Sequence, residues 1–256
     1  MHWIDDNAPL PPPQLAMGAD SEAPGLLAAG GSVTPERLLE AYSQGIFPWY
    51  SAGQPVLWWS PDPRMVLPVE RFHLSHSMHK TLRRFLRNPR CTLRFNGNFE
   101  AVMQACASTP RDGQDGTWIL PAMVDAYTQG HQAGFVHSVE TVIDGALAGG
   151  LYFVNLGRMC FGESMFARRT DASKIALAAL VAACRVRQVA LIDCQQNTGH
   201  LARFGALEMP RSDFQAHLAS TVHAAPVAQW TYDDAAWAAL LDDPGNPERL
   251  ADSSPA

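Results

Sequence analysis

Several things are missing from this chain, and each absence closes a route. There is no C-x-x-C pair, and the five cysteines (91, 106, 160, 184 and 194) are odd in number. That argues against a disulfide framework or a zinc site and for a reducing, cytoplasmic compartment. The longest apolar run, Ile175–Cys184, is far too short to span a membrane. The first residues, MHWIDDNAPLPPPQ, are acidic and proline-rich, unlike a secretory leader. No internal repeat is visible. What remains is 256 residues, 47% of them hydrophobic, enough for one large domain or two smaller ones.

Charge is unevenly placed. Residues 1–24 hold no Lys or Arg and carry −4, and residues 232–256 carry −5. The whole chain is −6, so the body between them is +3. Both ends read as flexible segments around a mildly basic body. Acids are also missing from residues 71–94, RFHLSHSMHKTLRRFLRNPRCTLR, which hold seven Lys or Arg and three His. Ser75 or Ser77 can cap a helix there, with Met78, Leu82 and Phe85 on one face and Lys80, Arg83, Arg84 and Arg87 on the others. A solvated amphipathic helix is one reading; contact with a phosphate backbone is the other. His73, His76 and His79 have no evident further ligand, so no metal is expected.

The chemistry concentrates in residues 145–197. Strands are predicted over Ala148–Val154 and Arg158–Phe166, turned by Asn155-Leu156-Gly157. Thr170 or Asp171 can cap a helix running to about Arg187. The apolar run Val189–Ile192 then reads as a strand covered on both faces, and it ends on Asp193-Cys194-Gln195. Alternation puts Asp193 and Gln195 on one face and Cys194 on the other. Glu163 sits in Phe161–Phe166, where a carboxylate is costly unless paired or functional. Glu163 and Asp193 facing one cavity would form an anionic pocket suited to an amine. The plainer reading of Asp193 is a strand end bonded to backbone amides, and both stay open.

Ahead of that stretch, Thr34-Pro35 starts a helix, with Leu38, Leu39 and Tyr42 on its core side and Gly45 as its stop. Trp58 and Trp59 suit a mini-core, and Pro61 and Pro63 a stiff linker at a domain boundary. Helices are predicted over Phe99–Ala107 and Pro121–Gly134, and a strand over His137–Val142. Tyr127 is either core or a phenol offered to the site. Past Tyr232, Trp237, Leu240 and Leu241 suggest at most a helical turn in a dispensable tail.

GIFPWY (Gly45–Tyr50), LWWSPDPR (Leu57–Arg64), GTW (Gly116–Trp118), FGESMF (Phe161–Phe166), DASK (Asp171–Lys174) and LIDCQ (Leu191–Gln195) together resemble the leucyl/phenylalanyl-tRNA–protein transferase family, from about Gly25 to Phe214. The resemblance implies an α+β fold: a small N-terminal domain, then an N-acetyltransferase-like (GNAT) domain with a mixed, mostly antiparallel sheet. The expected divisions are an arm over 1–24, the small domain over 25–62, the catalytic domain over 63–231 and an acidic tail over 232–256. It implies an enzyme that moves Leu or Phe from Leu-tRNA or Phe-tRNA to proteins with N-terminal Arg or Lys, creating a bacterial degradation signal. No cofactor or membrane is implied, and a monomer is expected.

The same resemblance places Asp193, Gln195 and Glu163 at the reaction centre, and Trp49 and Trp118 against the terminal adenine. It tilts Tyr127 toward the site and assigns Leu151, Cys160 and Met165 to the aminoacyl side-chain pocket. Asp193 could take the acceptor's proton and Gln195 orient the amine or oxyanion. This sequence departs from the family in having Phe153 where glycine is common and Cys160 where an aromatic is common. With Leu156-Gly157 as the turn, the two become cross-strand partners exchanging volume. A small-molecule acetyltransferase is the first rival, but its phosphate loop would be residues 167–173, which lack glycine and contain Asp171. A non-catalytic reader of protein N-termini would leave the basic helix and tryptophans unexplained. A Cys194 nucleophile would point inward.

Overall fold

The computed structural model describes residues 1–109, 119–197 and 199–242. The first strands build a small sheet. They are β1 (His2–Ile4), β2 (Leu26–Gly30), and, after helix α1 (Pro35–Ser43), β3 (Phe47–Pro48) and β4 (Leu57–Trp59), in the order β1-β2-β4-β3. Helix α1 starts where expected: Thr34 Oγ1 accepts from the Arg37 amide at 3.2 Å and Pro35 opens the first turn. Leu38 and Tyr42 are buried, but Leu39 faces outward.

The described residues that follow form a seven-stranded sheet between two helical layers. In chain order come β5 (Arg64–Pro68), α2 (His76–Arg87), β6 (Cys91–Phe95), α3 (Phe99–Ser108), α4 (Pro121–Gln132), β7 (Val136–Ile143), β8 (Ala146–Leu156), β9 (Met159–Ala167) and α5 (Ala172–Val186). Then follow β10 (Leu191–Gln195), α6 (Gly199–Ala202), β11 (Leu207–Met209), α7 (Arg211–Thr221) and α8 (Asp234–Asp242). The sheet order is β11-β5-β10-β9-β8-β7-β6, with β9 and β10 its one parallel pair. The fold is therefore α+β with a mixed, mostly antiparallel sheet. Helices α2, α5 and α8 share one apolar cluster with the sheet, and α1, α3, α4 and α7 share the other. The alanines of α5 allow close approach: a Cβ added to Gly149 of β8 would lie 2.6 Å from that of Ala172.

Both chain ends depart from expectation. Residues 1–24 are not a free arm: β1 pairs in parallel with β2, and Ile4, Leu10 and Ala16 are buried. Arg37 ties them down by donating to the carbonyls of Asp5 and Asp6, and Glu40 accepts from the Leu10 amide. At the other end, Trp230, Trp237, Leu240 and Leu241 are buried in the α5 cluster. Helix α5 is apolar nearly all round, so its face away from the sheet needs this cover.

The central hairpin is also built differently. Its turn is Gly157-Arg158, with Leu156 opposite Met159. Phe153 pairs with Gly162 and Cys160 with Asn155, so the volume exchange between Phe153 and Cys160 as direct cross-strand partners does not occur. The register slips between Tyr152, which faces Ser164, and Phe153, which faces Gly162. Glu163 is the residue left without an opposite number, a β-bulge in the middle of the sheet. At the helix start, Asp171 has φ +63° and makes no capping bond; its carboxylate meets Lys174 Nζ at 2.7 Å instead.

Candidate active site

Two irregularities meet at the centre of the sheet. One is the bulge at Glu163. The other is in β10, whose pairing with β5 skips Cys194, while its register with β9 is confined to Ile192–Cys160 and Asp193–Phe161. Gln195, with φ +63°, turns its side chain toward the bulge, and its Nε2 donates to Glu163 Oε1 at 2.7 Å. Tyr127 on α4 donates its hydroxyl to Glu163 Oε2 at 3.1 Å, and the hydroxyl of Tyr42 on α1 lies 2.6 Å from that of Tyr127. A carboxylate, an amide and two phenols thus converge from four elements.

Glu163 keeps some contact with solvent, yet burial pushes its carboxyl up to about 7. The Tyr42 phenol opposes the rise, the Asp193 charge adds to it, and Tyr127 and Arg64 oppose it. Near neutrality this group can take or give a proton. Both phenols are held well above their ordinary range, chiefly by burial and then by the Glu163 charge, so they stay protonated as donors.

Asp193 has a different environment. It is fully buried, and Arg64 Nε and Nη2 grip its two oxygens at 2.8 and 2.6 Å. Its Oδ1 also accepts the Gln195 amide at 2.9 Å. With both oxygens engaged and its charge matched, it is not placed to accept a substrate proton. This geometry does not favour a direct base role for Asp193: of the two carboxylates, Glu163 is the one that keeps contact with solvent, and Asp193 lies sealed beside it.

The four expected pocket residues lie together in the α5-side cluster. Leu151, Phe153 and Cys160 are buried, and Met165, opposite Leu151, is partly exposed. Phe153 packs edge-on against Trp230, with ring centres 4.8 Å apart. Cys194 is unsuited to nucleophilic attack, because burial and then the Asp193 charge push its thiol well above the ordinary range. Trp49 is half-buried and edge-to-face with Trp59 at 5.6 Å, and the Trp59 indole donates to the Trp49 carbonyl. Trp58 is fully buried and donates to the Gly30 carbonyl. Trp118 lies outside the described residues.

The basic helix α2 is capped by Ser75, buries Met78, Leu82 and Phe85, and exposes Lys80, Arg83, Arg84 and Arg87. With Asn88, these four line an open cleft of about 380 Å³. Among the described residues, no three His, Cys, Asp or Glu side chains group as a metal site.

Tyr42 and Arg64 were missed as site residues. Tyr42 reads as one more core residue of α1, though a buried phenol needs a partner. Arg64 stands at the head of an apolar strand, where a guanidinium needs a carboxylate, and Asp193 sits in another such strand.

The family model described as leucyl/phenylalanyl-tRNA protein transferase matches residues 66–219, and the model of that family's N-terminal domain matches residues 31–62. A leucyl/phenylalanyl-tRNA–protein transferase of Methylibium petroleiphilum is 62% identical over 244 residues, covering 95% of this chain and 92% of its own. One of Leptothrix cholodnii is 58% identical over 253 residues, covering 97% and 99%. Among solved structures, a GCN5-related N-acetyltransferase from Kribbella flavida matches at TM-score 0.33 and 12% identity, over 67% of this chain and 59% of that one. By the two family models and these relatives, the chain belongs to the leucyl/phenylalanyl-tRNA–protein transferase family.

Proposed function

We propose that this protein transfers Leu or Phe from the 3′ end of its tRNA to the α-amine of proteins beginning with Arg or Lys, marking them in the bacterial cytoplasm for proteolysis. The observation that carries the chemistry is the Glu163 carboxylate, held near neutrality by burial and flanked by the Gln195 amide. The reaction is aminolysis of an ester. The acceptor nitrogen attacks the aminoacyl carbonyl, a C–N bond forms and the bond to the tRNA ribose oxygen breaks. Once the amine is neutral, one proton leaves it on attack and one reaches the ribose oxygen. An α-amine of pKa about 7.7–8.0 is mostly ammonium at neutral pH, so a neighbouring base near 7 is well matched to free it. Gln195 orients the amine or the oxyanion. Positioning also contributes, because holding two reactants together can lower a barrier by roughly 7–11 kcal/mol at best.

Leu151, Phe153, Cys160 and Met165 are the residues proposed to bound the aminoacyl side chain. The half-buried indole of Trp49 offers a face to the terminal adenine, a contact worth roughly 1–3 kcal/mol, and Trp118 joins it on the strength of the sequence alone. Lys80, Arg83, Arg84 and Arg87 would hold tRNA phosphates without reading sequence. No helix among the described residues is long and apolar enough to cross a membrane. The test is transfer of labelled Leu and Phe from charged tRNA to peptides beginning with Arg, Lys or Ala. Product on the Arg and Lys peptides alone is the expected result. Peptide binding without transfer of either amino acid would leave a reader of N-termini rather than an enzyme.

A further inference from the structure

Arg64 is 1% exposed, on a strand that is otherwise apolar. Its guanidinium forks onto both oxygens of Asp193, and its Nη1 donates to the Gly45 carbonyl at 3.1 Å. The rings of Phe47 and Phe214 each lie 4.8 Å from its Cζ. Stability alone does not account for such a pair, since well-packed apolar residues commonly do as well in a dry interior. What distinguishes this one is what Asp193 does next. Its Oδ1 accepts the amide of Gln195, where φ turns positive just past Cys194, the residue that β10 skips in its register. That turn sends the Gln195 side chain onto Glu163.

We infer that Arg64 is a positioning residue of the transfer reaction, which through Asp193 fixes the Gln195 turn and hence the placement of the Gln195 amide against Glu163. Gly45 and Phe47 come from the N-terminal unit, and Phe214 from α7. Arg64 therefore ties the reacting pair to both ends of the fold. The inference rests on the transfer reaction proposed above. A lysine cannot reproduce the fork: it keeps the charge but not the planar two-point grip.

Two variants test this. Arg64→Lys retains the cation. Arg64→Met combined with Asp193→Asn leaves no charge at the pair, and no guanidinium then holds the side chain at 193 in the orientation that accepts the Gln195 N–H. Steady-state kinetics and thermal melting are measured on each beside the native protein. The expected result is a kcat at least about ten-fold lower in both, with KM for charged tRNA essentially unchanged and melting close to native. In Arg64→Lys the acid limb of the kcat/KM profile should stay in place. The charged and titratable groups facing Glu163 are Tyr42 from α1, Tyr127 from α4, Asp193 from β10 and the cation on β5, and that variant leaves both phenols and both charges in place. Native kcat in either variant, at native melting, would reduce Arg64 to a folding residue and overturn the inference. An absence of transfer by the native protein would instead sink the functional reading.

Discussion

Asp193 and Glu163 are carboxylates on neighbouring strands, and their surroundings are opposite in kind. Asp193 is sealed, gripped by a guanidinium and bonded to a backbone amide. Glu163 is held by neutral groups, the Tyr127 phenol and the Gln195 amide with the Tyr42 phenol beside them, and keeps some contact with solvent. The first arrangement holds a charge in place. The second leaves a charge free to change. A paired buried ion is useful as a fixed strut, whereas chemistry needs a group whose two protonation states are close in energy.

The sharpest way to break the comparison is to remove the strut. Asp193→Ala would strand the Arg64 cation between two aromatic rings. The expected loss is about 3–5 kcal/mol of folding stability, read by chemical denaturation, together with loss of transfer. A variant that melts like the native protein would mean that the pair is not the strut described.

Glu163→Gln should do the reverse, sparing the fold while disabling the reaction. Removing a general base typically costs about 10²–10⁴-fold in rate, and the acid limb of the kcat/KM profile near pH 7 should disappear with it. Stability provides a second reading. The folded-state pKa of Glu163 is raised, so the folded protein holds this proton more tightly than the unfolded chain. Its contribution is complete below the ordinary carboxylate range and is lost as pH climbs through about 7. The stability of Glu163→Gln relative to native should therefore rise across that window. A difference that stays flat with pH would place Glu163 in ordinary solvent.

Much of this was legible in the sequence, and the parts that were not have physical causes. Helices α2, α3 and α4 follow from periodicity, and α2 also from its Ser75 cap, because their buried faces are set by local spacing. Glu163 and Asp193 stood out because carboxylates in apolar strands demand an explanation. The bulge did not stand out, since a register slip depends on what the extra residue finds across the sheet, here Tyr127. Nor did Arg64 as the partner of Asp193, because the two lie 129 residues apart. The N-terminal arm was misread for a related reason. Prolines and acids dominate its composition, while the residues that anchor it, Ile4 and Leu10, are too few to make a pattern.

The smallest expected effect separates the two carboxylates most finely. Tyr42→Phe deletes one oxygen and leaves the ring in place between α1 and the sheet. It removes the 2.6 Å bond to Tyr127, at a cost of about 0.5–1.5 kcal/mol in stability. Tyr127 keeps its own bond to Glu163, so the base remains held. Because the Tyr42 phenol draws the Glu163 carboxyl down, its loss should let that carboxyl rise further and move the acid limb of kcat/KM to higher pH. Activity would then fall below the native value at mildly acidic pH and recover at alkaline pH, while the Arg64–Asp193 strut is untouched. A limb that stays in place as stability drops would leave Tyr42 a packing residue with no hold on the Glu163 proton.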